Sequence, residues 1–347
     1  ANHVFEVYLG SSDVVELKLY KEKYLLLVII ACLLNAMCDV FGYASDETQE
    51  CMPLAHSAAT HLSKQMADAR KTGKLWWLSS GGKAKVSIEY MHGSNGSIEP
   101  QGIHSVLIEA PYAAPLKLLR SQDCADYDGP EMIAPSLERM KKIIMEDVVR
   151  KALAEIILKN GQSALTLFSE NTALHFYASP VHDVDASIRS RKVDGDACLE
   201  NRGASTKASR FARLDRSAAH VCRQIAKSVV KSGLCLRARV HLSYAIGIEK
   251  PLSLFLETYD TELNGLTVAD ITKVVMLSFD CRPAAIAASA ALRDRRYNEI
   301  ASDCNLHPKP WEIAKDLSKF RLMNSSEIDM EMMLSDYLAR WNSIPHA

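Results

Sequence analysis

At 347 residues the chain is long enough for two or three domains, each able to bury a core of its own. A hydrophobic content of 48%, a charged content of 24% and a net charge of −1 belong to a soluble globular protein and leave no electrostatic footprint for nucleic acid or an anionic membrane. The nine cysteines are scattered and include no CxxC pair, which fits reduced cytoplasmic thiols better than a disulfide framework or a zinc site.

The first two segments, HVFEVYL and VVELKLY, alternate apolar and polar residues on either side of Gly10-Ser11-Ser12-Asp13 and predict a hairpin. The sharpest apolar run, Tyr24 to Leu34, falls short of the roughly 20 residues a membrane span needs. Glu6, Asp13, Glu16 and Glu22 precede it, which does not suit a signal peptide. A buried strand of a core sheet is the expectation for this run.

Leu54, Ala58, Leu62, Met66 and Ala69 recur at helical spacing and predict a helix that stops at Gly73. Val86 to Tyr90 and Ile103 to Ile108 alternate and predict two strands joined by a turn at Gly93-Ser94-Asn95-Gly96. Ser136 is the expected cap of a helix carrying Leu137, Met140, Ile144, Val148 and Ile156 on one face and ending near Gly161. From Ala218 to Val230 a third helical pattern runs to a stop at Gly233. The period then changes to two: Leu236, Ala238, Val240, Leu242 and Tyr244 take one face, with Arg237, Arg239 and His241 between them. Pro251 marks a turn and Leu252, Leu254 and Leu256 begin a second strand, antiparallel because the connection is short. Near the end, Asn324-Ser325-Ser326-Glu327 has the form of a capping box. Behind it Ile328, Met330, Met333, Leu334, Tyr337, Leu338 and Trp341 form a wide apolar stripe, which either packs on its own domain or is offered to a partner.

Several strings resemble one family. DRSAAH, AKSVVKSGL, SYAIGIEKPLSLF, FDCRP, FGYASDETQECMPLAH, WWLSSGGKAKVSIEY, IHSVLI and PWE are similar, in order, to S-adenosylmethionine synthetases (methionine adenosyltransferases). The resemblance covers most of Val40 to Glu312. It implies an α+β fold of mainly antiparallel sheets with helices on one face. Members of the family stack three βαβ-type units about a pseudo-threefold axis and dimerise through flat sheet faces; the resemblance implies two such units here, with the first truncated or replaced. On this basis residues 1–40 are a remnant of, or a replacement for, the N-terminal domain. Residues 41–175 form the central domain, 176–312 the C-terminal domain, and 313–347 an extension. The chemistry implied is formation of S-adenosylmethionine from ATP and L-methionine with Mg²⁺ and K⁺, releasing phosphate and pyrophosphate.

The residues that carry that chemistry are the ones that differ. The family's His-Pro-Asp-Lys motif is missing. Leu33 to Cys38 stand in place of a Gly-Ala-Gly-Asp-Gln-Gly loop, with Ala36 at the carboxylate position. A glycine loop lets backbone N–H groups close on a ligand, and bulky residues do not. Gly81 replaces an Asp, Ser190 and Ser209 replace lysines, and Leu174-His175 replace the pair that helps frame adenine. Retained are Pro180, Asp183, Arg189, Asp215 and Arg216, and Arg213 keeps the charge of a Lys. The family-matched ATP or phosphate positions are therefore Lys83, Asp183, Arg189, Arg213, Asp215 and Ile246. Lys83 also reads as an ordinary hairpin residue, and Asp215 as a helix N-cap. One lost charge-stabilising donor lowers a rate by about 10²–10³, and here several are lost together. The expectation is a catalytically impaired or inactive cytoplasmic homologue that is a structural, regulatory or interaction subunit. It would be a homodimer, or a heterodimer with an active member, binding neither nucleic acid nor membrane. The alternative is a working methionine adenosyltransferase.

Overall fold

The computed structural model describes residues 5–9, 13–17, 38–79, 82–113, 135–181, 214–245, 248, 250–283, 285–286 and 310–343. The apolar run Tyr24 to Leu34 lies outside them. The chain forms two compact units, one of residues 1–46, 95–97 and 194–347, the other of residues 47–94 and 98–193.

In the first unit, β1 (Phe5–Leu9) and β2 (Asp13–Leu17) form the predicted antiparallel hairpin, with Val7 opposite Val15. A second sheet has the order β3-β7-β8, built from β3 (Cys38–Ser45), β7 (Arg237–Tyr244) and β8 (Ser253–Glu257), all antiparallel. Ala238, Val240, Leu242 and Tyr244 of β7 are buried and the residues between them are half-buried, as the alternation requires. β3, which the sequence reads as the opening of a central domain, pairs along its whole length with β7. The units are therefore not consecutive stretches of chain.

Helix α4 (Leu214–Lys231) packs on β3 and β7. Its approach to β3 is set by Gly42, where a Cβ would lie 2.1 Å from the carbonyl carbon of Cys222. The helix ends at Gly233, whose φ of 70° is left-handed and whose N–H donates to Val230 O. α4 is buried nearly all round. Ser217, His220, Arg223, Lys227 and Ser228 are as enclosed as Val221, Ile225 and Val229. The cover on its polar side is an extended segment after the short 3₁₀ turn Pro310–Glu312. There the N–H groups of Lys315 and Leu317 donate to the hydroxyls of Ser228 and Ser232, both at 2.9 Å. Two serines one helical turn apart thus match alternate residues of an extended chain. Helix α5 (Val268–Ser278) starts in a capping box between Thr267 and Asp270, and α6 (Ser325–Ser343) in one between Asn324 and Glu327.

In the second unit, α1 (Leu54–Lys71) packs on a three-stranded sheet of β4 (Lys83–His92), β5 (Ile98–Ala113) and β6 (Ala173–Val181). β4 and β5 are antiparallel, joined by the predicted turn, and β5 and β6 are parallel. The helical crossover between β5 and β6 makes that parallel pairing possible. The core holds Leu54, Leu62, Trp77, Val106, Ile108, Ile144 and Leu153.

The crossover corrects one expectation. It is not a single helix to Gly161 but α2 (Leu137–Ile144), a π turn at Met145–Val149 and α3 (Arg150–Glu155). The π turn inserts a residue, so that both Val148 and Val149 face the core and the buried stripe resumes at Ala152 and Leu153. Leu137, placed by its spacing on the buried face, is exposed. Ser136 occupies the N-cap position, but its hydroxyl makes no capping hydrogen bond.

Candidate functional site

Of the six family-matched positions, Lys83 and Asp215 fall in described chain, while Asp183, Arg189, Arg213 and Ile246 lie outside the described residues. Asp215 is the second residue of α4, because Leu214 is already helical. That corrects the reading of Asp215 as an N-cap: its backbone is already helical.

Lys83 opens β4 directly opposite Glu109 of β5, and its Nζ donates to Glu109 Oε2 at 3.1 Å. The Lys83 side chain is 68% exposed, a level at which an ion pair contributes about 0–1 kcal/mol. The pair orients Lys83 without locking it. On the same outer face Glu109 is followed across the sheet by Tyr177, and Leu107 by His175, with Lys85 beyond. Lys85, His175 and Tyr177 are exposed. Leu174, one residue before His175, is packed on the hydrophobic core. Neighbours in a strand point to opposite faces, so of this pair only His175 is on the outer face.

The outer face of the other sheet carries a second cluster. His241 of β7 stacks on Phe41 of β3 with ring centroids 4.3 Å apart, and the Arg239 guanidinium lies 5.0 Å from the Phe41 ring. Asp39 Oδ1 accepts from the Ser243 hydroxyl at 2.5 Å and lies 3.2 Å from His241 Nε2. Those two hydrogen bonds, the serine's first, hold the Asp39 carboxyl below the ordinary carboxylate range. Ser243 Oγ is 3.4 Å from the same His241 Nε2. A nucleophile–base–acid relay needs the two ring nitrogens to face different partners. Here one nitrogen faces both, so the arrangement is a polar lattice and not a hydrolase triad.

The third cluster is buried. Glu312 accepts from Lys227 Nζ at 2.9 Å and from Arg223 Nε and Nη2 at 3.4 and 3.3 Å. Arg223 Nη1 donates to Tyr43 O at 2.8 Å, and Trp311 stacks on His220 at 4.1 Å. One carboxylate therefore binds two cations of α4 and fixes the covering segment to helix and sheet together. Of this segment only the PWE string is legible as a family match in the sequence. The usable signal was polar residues at i, i+3, i+4 and i+7 in a helix whose other faces are apolar.

Among the described residues no group of three or more His, Cys, Asp or Glu side chains is placed to hold a metal ion. No described helix is long and apolar enough to cross a membrane. Compared with known families, residues 37–172 match the model of the S-adenosylmethionine synthetase central domain, and residues 183–313 that of the S-adenosylmethionine synthetase C-terminal domain.

Proposed function

The chain belongs to the S-adenosylmethionine synthetase family through its central and C-terminal domains, and from that premise we propose that it is a catalytically impaired or inactive relative. It acts as a structural or regulatory subunit in the cytoplasm, as a dimer with itself or with an active member. The observation that carries this reading is the state of Lys83. The family-matched phosphate lysine that is described lies on an exposed sheet face, and among the described residues its ion-pair partner is the Glu109 carboxylate. A triphosphate arriving there meets Glu109 as well as Lys83.

Substitutions elsewhere point the same way. Mg²⁺ takes one or two carboxylates plus the phosphates of its nucleotide, so the metal, and K⁺ with it, depends on the ATP cradle. Asp183 and Asp215 remain as acids, but Ala36 and Gly81 carry no side-chain oxygen where the family has carboxylates, and Ser190 and Ser209 no charge where it has lysines. These residues do not fit the nucleotide and its metals. The retained strings are the scaffold: β3, α4, β7 and β8.

The test is calorimetric titration of the full chain with ATP, Mg²⁺ and K⁺, with and without L-methionine, alongside assays for released phosphate and pyrophosphate. The expected result is no turnover and no saturable heat below ~1 mM nucleotide. Micromolar saturable binding with methionine-dependent pyrophosphate release would establish the working enzyme instead. Mixing with an active family member and weighing the species by light scattering tests the subunit role.

A further inference from the structure

We propose that α5 and α6 together present a methionine-lined face that binds a basic amphipathic helix of a partner protein. The sequence marks a wide apolar stripe on α6. The structure splits its described part between the core and the surface. Ile328 is fully buried, whereas Met330, Met333 and Leu334 are 64%, 73% and 55% exposed. They lie on the side of the helix opposite Ile328, as 3.6-residue spacing requires. The side chains of Tyr337, Leu338 and Trp341 lie outside the described residues.

α6 packs beside α5, and the contacts set the register. Ser325 Oγ donates to Asp270 Oδ2 at 2.8 Å, and Lys273 Nζ to Asp329 Oδ1 at 2.5 Å. Both contacts advance in the same direction, so the helices run parallel. One turn further on, Met276 follows Lys273 at i+3 and Met333 follows Asp329 at i+4, which brings the two methionines level. Met276 is itself 53% exposed. The patch therefore spans two helices and consists of three flexible, polarisable thioethers and a leucine. Such side chains re-pack around an incoming apolar helix at little cost. Isolated exposed apolar residues mean nothing, but a contiguous cluster on adjoining helices marks an interaction surface.

Charge selects the occupant. α6 carries Glu327, Asp329, Glu331 and Asp336 against Arg340 alone. Lys273 offsets Asp329, and Lys319 stands 3.9 Å from Glu331. The helix as a whole stays acidic. A second copy would set the same carboxylates against each other, and an anionic lipid surface would be repelled in the same way. A helix with leucine-like anchors at i, i+3, i+4 and i+7 and Lys or Arg at its flanks meets both the apolar floor and the acidic rim. α6 begins at Ser325, beyond the last family-matched residue, 313. Met330, Met333 and Leu334 thus lie past the family-matched stretch and Met276 within it, and the binding does not depend on whether ATP is turned over.

The probe is a fluorescein-labelled synthetic helix of about 18 residues, with Leu in that pattern and Lys elsewhere, titrated with the full chain by anisotropy. A scrambled peptide of the same composition is the control for charge. Saturable binding is expected for the patterned peptide, weaker by ~10-fold or more for the scrambled one and for the variant Met276→Gln/Met330→Gln/Met333→Gln, which alters no charge. Met333→Gln alone gives a smaller loss and serves if the triple variant folds poorly. Equal binding of both peptides, or of parent and variants, would overturn the proposal by showing attraction to acid alone. Self-association of the parent that the triple variant abolishes would overturn it in favour of a second copy.

Discussion

Replacing Gly42 by alanine is the sharpest test of how α4 sits on its sheet. A Cβ there would lie 2.1 Å from the carbonyl carbon of Cys222, 2.3 Å from Arg223 N and 2.4 Å from Cys222 O. All three are helix backbone atoms, so no rotamer change relieves the clash, and helix and strand must separate by more than an ångström. Overpacking a core by one methyl group usually destabilises by about 1–3 kcal/mol, and a contact against rigid backbone belongs at the upper end, about 3 kcal/mol. For a unit of this size each kcal/mol moves the midpoint by about 2–4 °C, so a fall of roughly 6–12 °C is expected. Differential scanning calorimetry with urea titration reads it. Gly102→Ala is the control, because its Cβ would meet only Leu167 O, at 4.0 Å. If Gly42→Ala melts with that control, the close packing of α4 on β3 is wrong.

Two further outcomes follow from buried groups. Glu312→Gln keeps the shape of the side chain but leaves Arg223 and Lys227 buried without their anion, which should cost about 3–5 kcal/mol of stability by urea unfolding. Adding Lys227→Met should restore part of it, and a double variant as weak as the sum of its singles would count against the triad as a unit. Burial pushes the Cys235 thiol up to about 12, and burial with the nearby Asp280 charge pushes Cys281 up to about 11. Native protein should therefore alkylate at these cysteines far more slowly than unfolded chain at pH 8, read by peptide mass spectrometry. Above pH 9 the unfolded thiols ionise first, so the native state holds more protons and stability falls as pH rises toward those values. Labelling at the unfolded rate would contradict their burial.

What the sequence by itself determined was local. Period-two and period-3.6 patterns fixed β7, β8, α1 and α4, since burying one face of a strand or helix leaves no other spacing open. Glycine marked the ends of α1 and α4, because the left-handed backbone at Gly73 and Gly233 admits few other residues. The family strings were legible for the same reason, being mostly scaffold. Tertiary structure decided what depends on residues distant in the chain. It paired Cys38–Ser45 with Arg237–Tyr244, set Glu109 against Lys83, and closed Glu312 on Arg223 and Lys227. It also placed an extra residue in the turn at Met145–Val149, left Leu137 exposed in the first turn of its helix, and turned Met330, Met333 and Leu334 of the last helix toward solvent while burying Ile328. Spacing tells which side chains share a face. Only packing tells which face the rest of the protein covers.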